Sequence, residues 1–171
     1  MCGIKVVRYL VCVITVLLFS TLSAKAQRFA VHTDALQWAI ASPNIGFEVP
    51  VAQHHAISFS AATCPIKISD RASFTHLTIE PQYKYWFAMP FFGHYAGASL
   101  LYSSYDLSLG NHTGTGNLLA ACANYGFSLI LGRRWNLVPH VGLGLGVDLG
   151  EQTRFVPLVA KIGINIQLVV K

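Results

Sequence analysis

The sequence predicts an all-β fold: an eight-stranded antiparallel up-and-down transmembrane β-barrel, preceded by a cleaved signal peptide. Three observations predict it. Hydrophobic residues make up 53% of the 171 residues and charged residues only 11%, yet past the N-terminus no apolar run reaches the roughly 20 residues that a spanning helix needs. Instead, apolar residues alternate with polar or small ones at a period of two, which sorts them onto the two faces of strands. Longer and shorter links also take turns along the chain, as in a barrel whose turns gather at one rim and whose loops gather at the other. Such a chain is too apolar and too poor in charge runs for intrinsic disorder, and its charge is well below the roughly 25% of an average soluble domain.

The first element is an export leader. Lys5 and Arg8 precede an apolar stretch over about 9–22, followed by Ser23, Ala24, Lys25, Ala26 and Gln27. A positive start, a short apolar centre and a small-residue site are the plan of a secretory signal peptide over 1–26, with cleavage after Ala26. The centre is too short for a membrane-spanning helix and is broken by Thr15, Ser20 and Thr21. A lipid anchor on Cys12 lacks the small residue such processing wants just before the cysteine.

Removing the leader changes the charge balance of the remaining domain, 27–171. Lys5, Arg8 and Lys25 leave with it, so nine of the twelve bases remain against all seven acids. That thin excess gives no basic patch for nucleic acid, so none is expected as a partner. Cys2 and Cys12 leave as well. Cys64 and Cys122 remain, as a disulfide or as two separate buried thiols.

The alternating segments run over about 28–37, 44–51, 55–63, 74–87, 91–105, 117–132, 135–149 and 155–170. In the fourth, Leu77, Ile79, Pro81, Tyr83, Tyr85 and Phe87 oppose Thr78, Glu80, Gln82, Lys84 and Trp86. In the seventh, Leu137, Val141, Leu143, Leu145 and Val147 oppose Asn136, His140, Gly142, Gly144, Gly146 and Asp148. In the last, Leu158, Ala160, Ile162, Ile164, Ile166 and Leu168 oppose Lys161, Gly163, Asn165 and Gln167. The tight links are 52–54, 88–90 and 133–134. The remaining links, 38–43, 64–73, 106–116 and 150–154, carry Gly, Asn, Asp, Ser or Pro. An even strand count places both termini at the turn rim.

Aromatic positions agree with two membrane interfaces. Phe29, Trp86, Phe87, Phe91, Phe92 and Trp135 form a belt at the turn rim, and Trp38, Phe74, Tyr102, Tyr105 and Phe155 fall near the other. In the last segment Lys161, Gly163, Ile166 and Leu168 have the spacing of the C-terminal signal read by the barrel-assembly machinery. The chain then ends in Val169, Val170 and Lys171 rather than in an aromatic residue.

An ordered set of short motifs points to a family. Pro43-Asn44-Ile45-Gly46-Phe47-Glu48 is followed by Glu80-Pro81-Gln82-Tyr83-Lys84-Tyr85-Trp86 and Gly93-His94-Tyr95-Ala96-Gly97. Then come Tyr125-Gly126-Phe127-Ser128, Leu131-Gly132-Arg133-Arg134-Trp135-Asn136-Leu137 and Lys161-Ile162-Gly163-Ile164. The set resembles the bacterial family called domain of unknown function 3575. The resemblance implies a small outer-membrane barrel and no particular reaction.

With the large-apolar rows toward lipid, Glu48, Glu80, Lys84, His140, Asp148, Lys161, Asn165 and Gln167 face inward, joined by His32 and Asp34. Eight strands leave an interior just wide enough for side chains to fill. Lone buried charges are costly, so Glu48 and Glu80 are expected to form a lumen network with Lys84 and Lys161, near His140 and Asp148. Gly142, Gly144 and Gly146 recur inside a strand and do not open a helix, so they give bulky neighbours room or allow coiling and do not cradle phosphate. The histidines are scattered. The sequence contains no metal-ligand motif, and no cofactor is expected.

Three functions fit. The first is a non-enzymatic barrel in outer-membrane lipid, with a structural or surface-interaction role and an extracellular ligand or partner protein at 64–73 and 106–116. The second is a lipid-modifying barrel enzyme using His94 with Ser99 or Ser103. The third is a soluble lipocalin-like carrier, which requires charges outside and aliphatics inside.

Overall fold

The computed structural model describes residues 29–69, 72–109, 112–150 and 153–170. The signal-peptide reading of 1–26 lies outside them. The alternating segments become β1 (Phe29–Asp34), β2 (Asn44–Pro50), β3 (His55–Ser69) and β4 (Ala72–Trp86), then β5 (Gly93–Leu109), β6 (His112–Ile130), β7 (Trp135–Asp148) and β8 (Arg154–Val170). A short helix, α1 (Ala35–Ala39), follows β1. Strands pair antiparallel in chain order and close into a barrel. The closing seam sets Phe29 opposite Val170 and Asp34 opposite Asn165. Both ends of the described chain therefore share one rim with links 51–54, 87–92 and 131–134, and α1 sits at the other. The all-β up-and-down barrel read from the sequence is the fold observed. Among the described residues no helix is long and apolar enough to cross a membrane.

Two expectations need correction. The strand drawn over 28–37 stops at Asp34, because that carboxylate accepts hydrogen bonds from the backbone N–H groups of Leu36 (2.8 Å) and Gln37 (3.3 Å). An aspartate that satisfies the first free N–H groups starts a helix in place of further ladder. The long loops at 64–73 and 106–116 are mostly strand. Cys64 pairs with His76 and Lys67 with Ser73, while Asp106 pairs with Thr115 and Leu109 with His112. β5 and β6 reach 17 and 19 residues, whereas β1 and β2 have 6 and 7. The wall is high on the β3–β6 side, and on the low side α1 folds at the rim. Polar composition looked like loop because these extensions need no apolar face.

Packing inside the wall depends on large residues lying across small ones. The Tyr95 ring lies over Gly126 on the neighbouring strand, and a Cβ built on Gly126 would fall 2.7 Å from its hydroxyl. The Asn124 amide and the Lys161 stem similarly crowd Gly142. The register between β7 and β8 shifts between Gly144 and Gly146, so the glycine run both makes room and marks a bulge. Gly126→Ala is expected to cost about 1–3 kcal/mol, because Tyr95 is held by Trp86 and cannot retreat. Gly132→Ala, where a new Cβ meets nothing within 4 Å, should stay within about 0.5 kcal/mol. Urea unfolding of the barrel in lipid vesicles distinguishes the two.

Candidate functional site

Strand parity decides which side chains meet in the lumen, and the register turns it into layers. Glu48, Ser58, Lys84, Trp86, Tyr95, Ser99, Asn124, Asn136, Val138 and Gln167 all lie on inward rows and are buried. The outward rows are apolar and exposed, with Ile45, Ile57, Leu100, Leu143 and Ile162 among them. Along the middle of the wall no described outward position carries a charge. The aliphatic face is therefore outside and the ionic face inside, which is the reverse of a lipocalin-like carrier.

The layer nearest the termini is a plug. Glu48, fully buried, accepts from the Lys84 ammonium at 2.6 Å and from Trp86 Nε1 at 2.9 Å. Gln167 Nε2 adds a third donor at 3.3 Å. The Lys84 ammonium also stands 4.8 Å from the centroid of the Tyr95 ring, which packs tilted on Trp86 with centroids 4.9 Å apart. Carboxylate, ammonium and rings thus satisfy one another directly, as two buried opposite charges require.

Phe91 closes the plug from beneath. Its φ of 70° is unusual for a residue with a side chain and turns the link after β4 back under the barrel. The Phe91 carbonyl accepts from Ser128 Oγ and Asn136 Nδ2, both at 2.9 Å, and its ring meets Trp86 edge-on at 6.4 Å. These contacts offset a backbone strain of about 1–3 kcal/mol.

Above the plug the lumen opens into a polar cavity of about 410 Å³ that reaches the rim at α1. The Lys161 ammonium bonds the Glu80 carboxylate. Asp34, besides capping α1, lies with Oδ2 3.6 Å from His140 Nε2. At the rim Ser42 Oγ meets His76 Nε2 at 3.1 Å, and the Tyr105 hydroxyl donates to Asp148 at 2.5 Å.

The predicted lumen residues are all inward, but they form separate groups. Glu48 meets Lys84, Glu80 meets Lys161, His140 approaches Asp34, and Asp148 sits apart with Tyr105. Sequence reasoning missed Tyr95, Phe91 and Tyr105 as lumen residues. Parity would have found Tyr95 and Tyr105, which share the inward row of Ser99.

The proposed aromatic belt needs correction at two positions. Phe87, Phe92 and Trp135 are exposed on the outside, but Trp86 and Phe91 are buried in the plug. Trp86 follows the parity of Lys84, and its indole N–H finds a partner only inside. Other outward groups at the same rim are Tyr85, the His55–Tyr83 pair, and the Tyr125 hydroxyl at 2.7 Å from His94 Nδ1. At the far rim Trp38, Tyr102 and Phe155 are exposed, Tyr105 points inward, and the side chain of Phe74 lies outside the description.

His94 is outward, whereas Ser99 and Ser103 are inward. An even and an odd position on one strand cannot form half of a hydrolase site. Cys64 and Cys122 are buried and unbonded.

A family model described as protein of unknown function (DUF3575) matches residues 11–155. Among solved structures, the crystal structure of Neisserial surface protein A (NspA) is similar to this chain. Its TM-score is 0.53 at 14% identity, and the match covers 83% of this chain and 94% of that one. At that identity the likeness shows the fold alone. No curated protein matches the chain.

Glu48→Gln keeps an acceptor for Trp86 but leaves the Lys84 ammonium buried and unpaired. It is expected to destabilise by about 3–5 kcal/mol. Lys161→Met, at the wetter pair, should cost about 1 kcal/mol. Unfolding free energies in vesicles check the order, and equal costs would contradict the burial difference.

Proposed function

The chain belongs to the DUF3575 family, and on that premise we propose that it is a small integral outer-membrane barrel with a structural or surface-interaction role and no catalytic reaction. One observation carries the reading: the exposed rows are apolar and free of described charge along mid-wall, while the ion pairs are inside. Water does not stabilise so continuous an apolar girdle, whereas hydrocarbon accepts it, and a closed barrel leaves no unpaired strand edge in lipid. The likeness to a protein titled a surface protein supports the same setting.

In this reading a signal peptide over 1–26 directs export and is removed. The rim that carries the termini faces the periplasm, and Phe87, Phe92 and Trp135 lie at that interface, where amphipathic rings are favoured. The β3–β4 and β5–β6 hairpins project on the external side and offer the surface for an extracellular ligand or partner protein. The C-terminal strand is the element read by the barrel-assembly machinery. The plug makes the barrel non-conducting, because Glu48, Lys84, Trp86, Tyr95 and Phe91 fill the section that an ion would cross.

Two measurements test the proposal. The unboiled protein from membranes should migrate differently from the boiled sample and resist carbonate extraction; release by carbonate would refute the integral reading. In a planar bilayer the protein should pass no steady current, and an ohmic conductance would refute the plug.

A further inference from the structure

The cavity above the plug is more than leftover space, because its lining has a one-sided hydrogen-bond inventory. Its volume of about 410 Å³ lies within the usual range of small-molecule sites, about 300–1,000 Å³. His32, Asp34, Gln37, Glu80, His140 and Lys161 line it. Lys161 and Glu80 neutralise each other, and the deeper Lys84 is neutralised by Glu48. Among the described residues Asp34 has no lysine or arginine partner. Its Oδ1 receives backbone N–H groups, and Oδ2 has His140 no nearer than 3.6 Å.

The unpartnered amide oxygens in and below the cavity lean the same way. Gln37 Oε1, Asn124 Oδ1 and His32 Nδ1 are buried without a hydrogen-bond partner. Asn124 and His32 are themselves only 5% and 6% exposed. An amide oxygen can only accept, whereas the His32 ring nitrogen accepts or donates according to its tautomer. Acceptors left buried in this way are destabilising unless a donor reaches them. The lumen thus offers a spare negative charge and spare acceptors, and its ammonium groups are already engaged. Among the described residues an anion would meet Asp34 and Glu80 and find no free lysine or arginine. A group of three or more His, Cys, Asp or Glu placed to hold a metal ion is absent among the described residues.

We propose that this cavity is a binding site for a small organic ammonium, a primary amine entering from the α1 rim. The ammonium supplies both the positive charge that Asp34 lacks and N–H donors for the open atoms on the lining, Gln37 Oε1 and, in its Nε2–H tautomer, His32 Nδ1. The Trp86–Tyr95 plug makes the site blind, so the ligand enters and leaves by the same mouth. Occupancy requires the lumen and is independent of which membrane surrounds it.

The probe is putrescine, titrated calorimetrically into the full barrel folded in zwitterionic micelles, with 1,4-butanediol as the uncharged counterpart. Saturable putrescine binding is expected, with butanediol at least about tenfold weaker, a difference of about 1.4 kcal/mol. Asp34→Asn should weaken putrescine by a similar factor. Because Asp34 also caps α1, Ser103→Phe provides a second variant that fills the cavity from the opposite wall and should abolish binding in a barrel that remains heat-modifiable. Failure of putrescine to saturate would mean that the lumen holds water only and would overturn the site. Equal affinity for butanediol, or binding that survives Ser103→Phe, would overturn it as well.

Discussion

Along mid-wall the described outward rows of this barrel carry no charge, and most of the interior follows from that restriction. Each strand contributes every second side chain to the lumen. Along mid-wall every described ionic group therefore lies on the inner row of a narrow cylinder, and only near the far end of β5 does one, Asp106, take an outward position. Glu48 and Lys84 meet at 2.6 Å with almost no solvent contact. The pair is supported by Trp86, Gln167 and the Tyr95 face, so its polarity is shared among four strands and not left to two atoms.

The same narrowness explains why the lumen is half plug and half cavity. At the terminal rim three large rings, Trp86, Tyr95 and Phe91, are accommodated by small neighbours such as Ala56 and Gly126. Toward α1 the inward row of β3 offers Ser60 and Ala62, and that of β5 offers Ser103. Short side chains around one level cannot meet across the barrel, so space remains. The plug and the pocket are therefore consequences of where bulk is placed along a common alternation.

The sequence made the alternation legible, and with it the closed barrel, the strand order and the inward set from His32 to Gln167. The partners were only partly legible. Glu48 with Lys84 and Glu80 with Lys161 were grouped as one network, because the stagger that separates their levels depends on register, which a single strand does not carry. For Trp86 residue type suggests an interface ring, whereas parity with Lys84 points inside, and parity decides. Phe91 was out of reach, since its inward turn depends on a left-handed backbone and on Ser128 and Asn136 from other strands. The strand extensions over 64–67 and 106–109 resemble loops in composition because a ladder above the apolar zone no longer needs an apolar face.

A buried ion pair is a poor device for stability alone, since well-packed apolar residues of similar volume often do as well or better. Its value here lies in register. A strand slipped by one residue exchanges its two faces, and in β4 that slip would turn Glu80 and Lys84 outward and draw Tyr83 and Tyr85 into a lumen already filled by Tyr95. In the proposed lipid setting each misplaced charge would have no partner and no water, so every one-residue slip is strongly disfavoured. Were Glu80 and Lys84 leucine, the segment from Leu77 to Phe87 would approach an unbroken apolar run with little to choose between its faces. The ionic row inside therefore acts mainly as an address for each strand. Lumen polarity in this barrel can accordingly be explained by folding specificity before any solute is invoked, and only the acceptors that the network leaves open need a further partner.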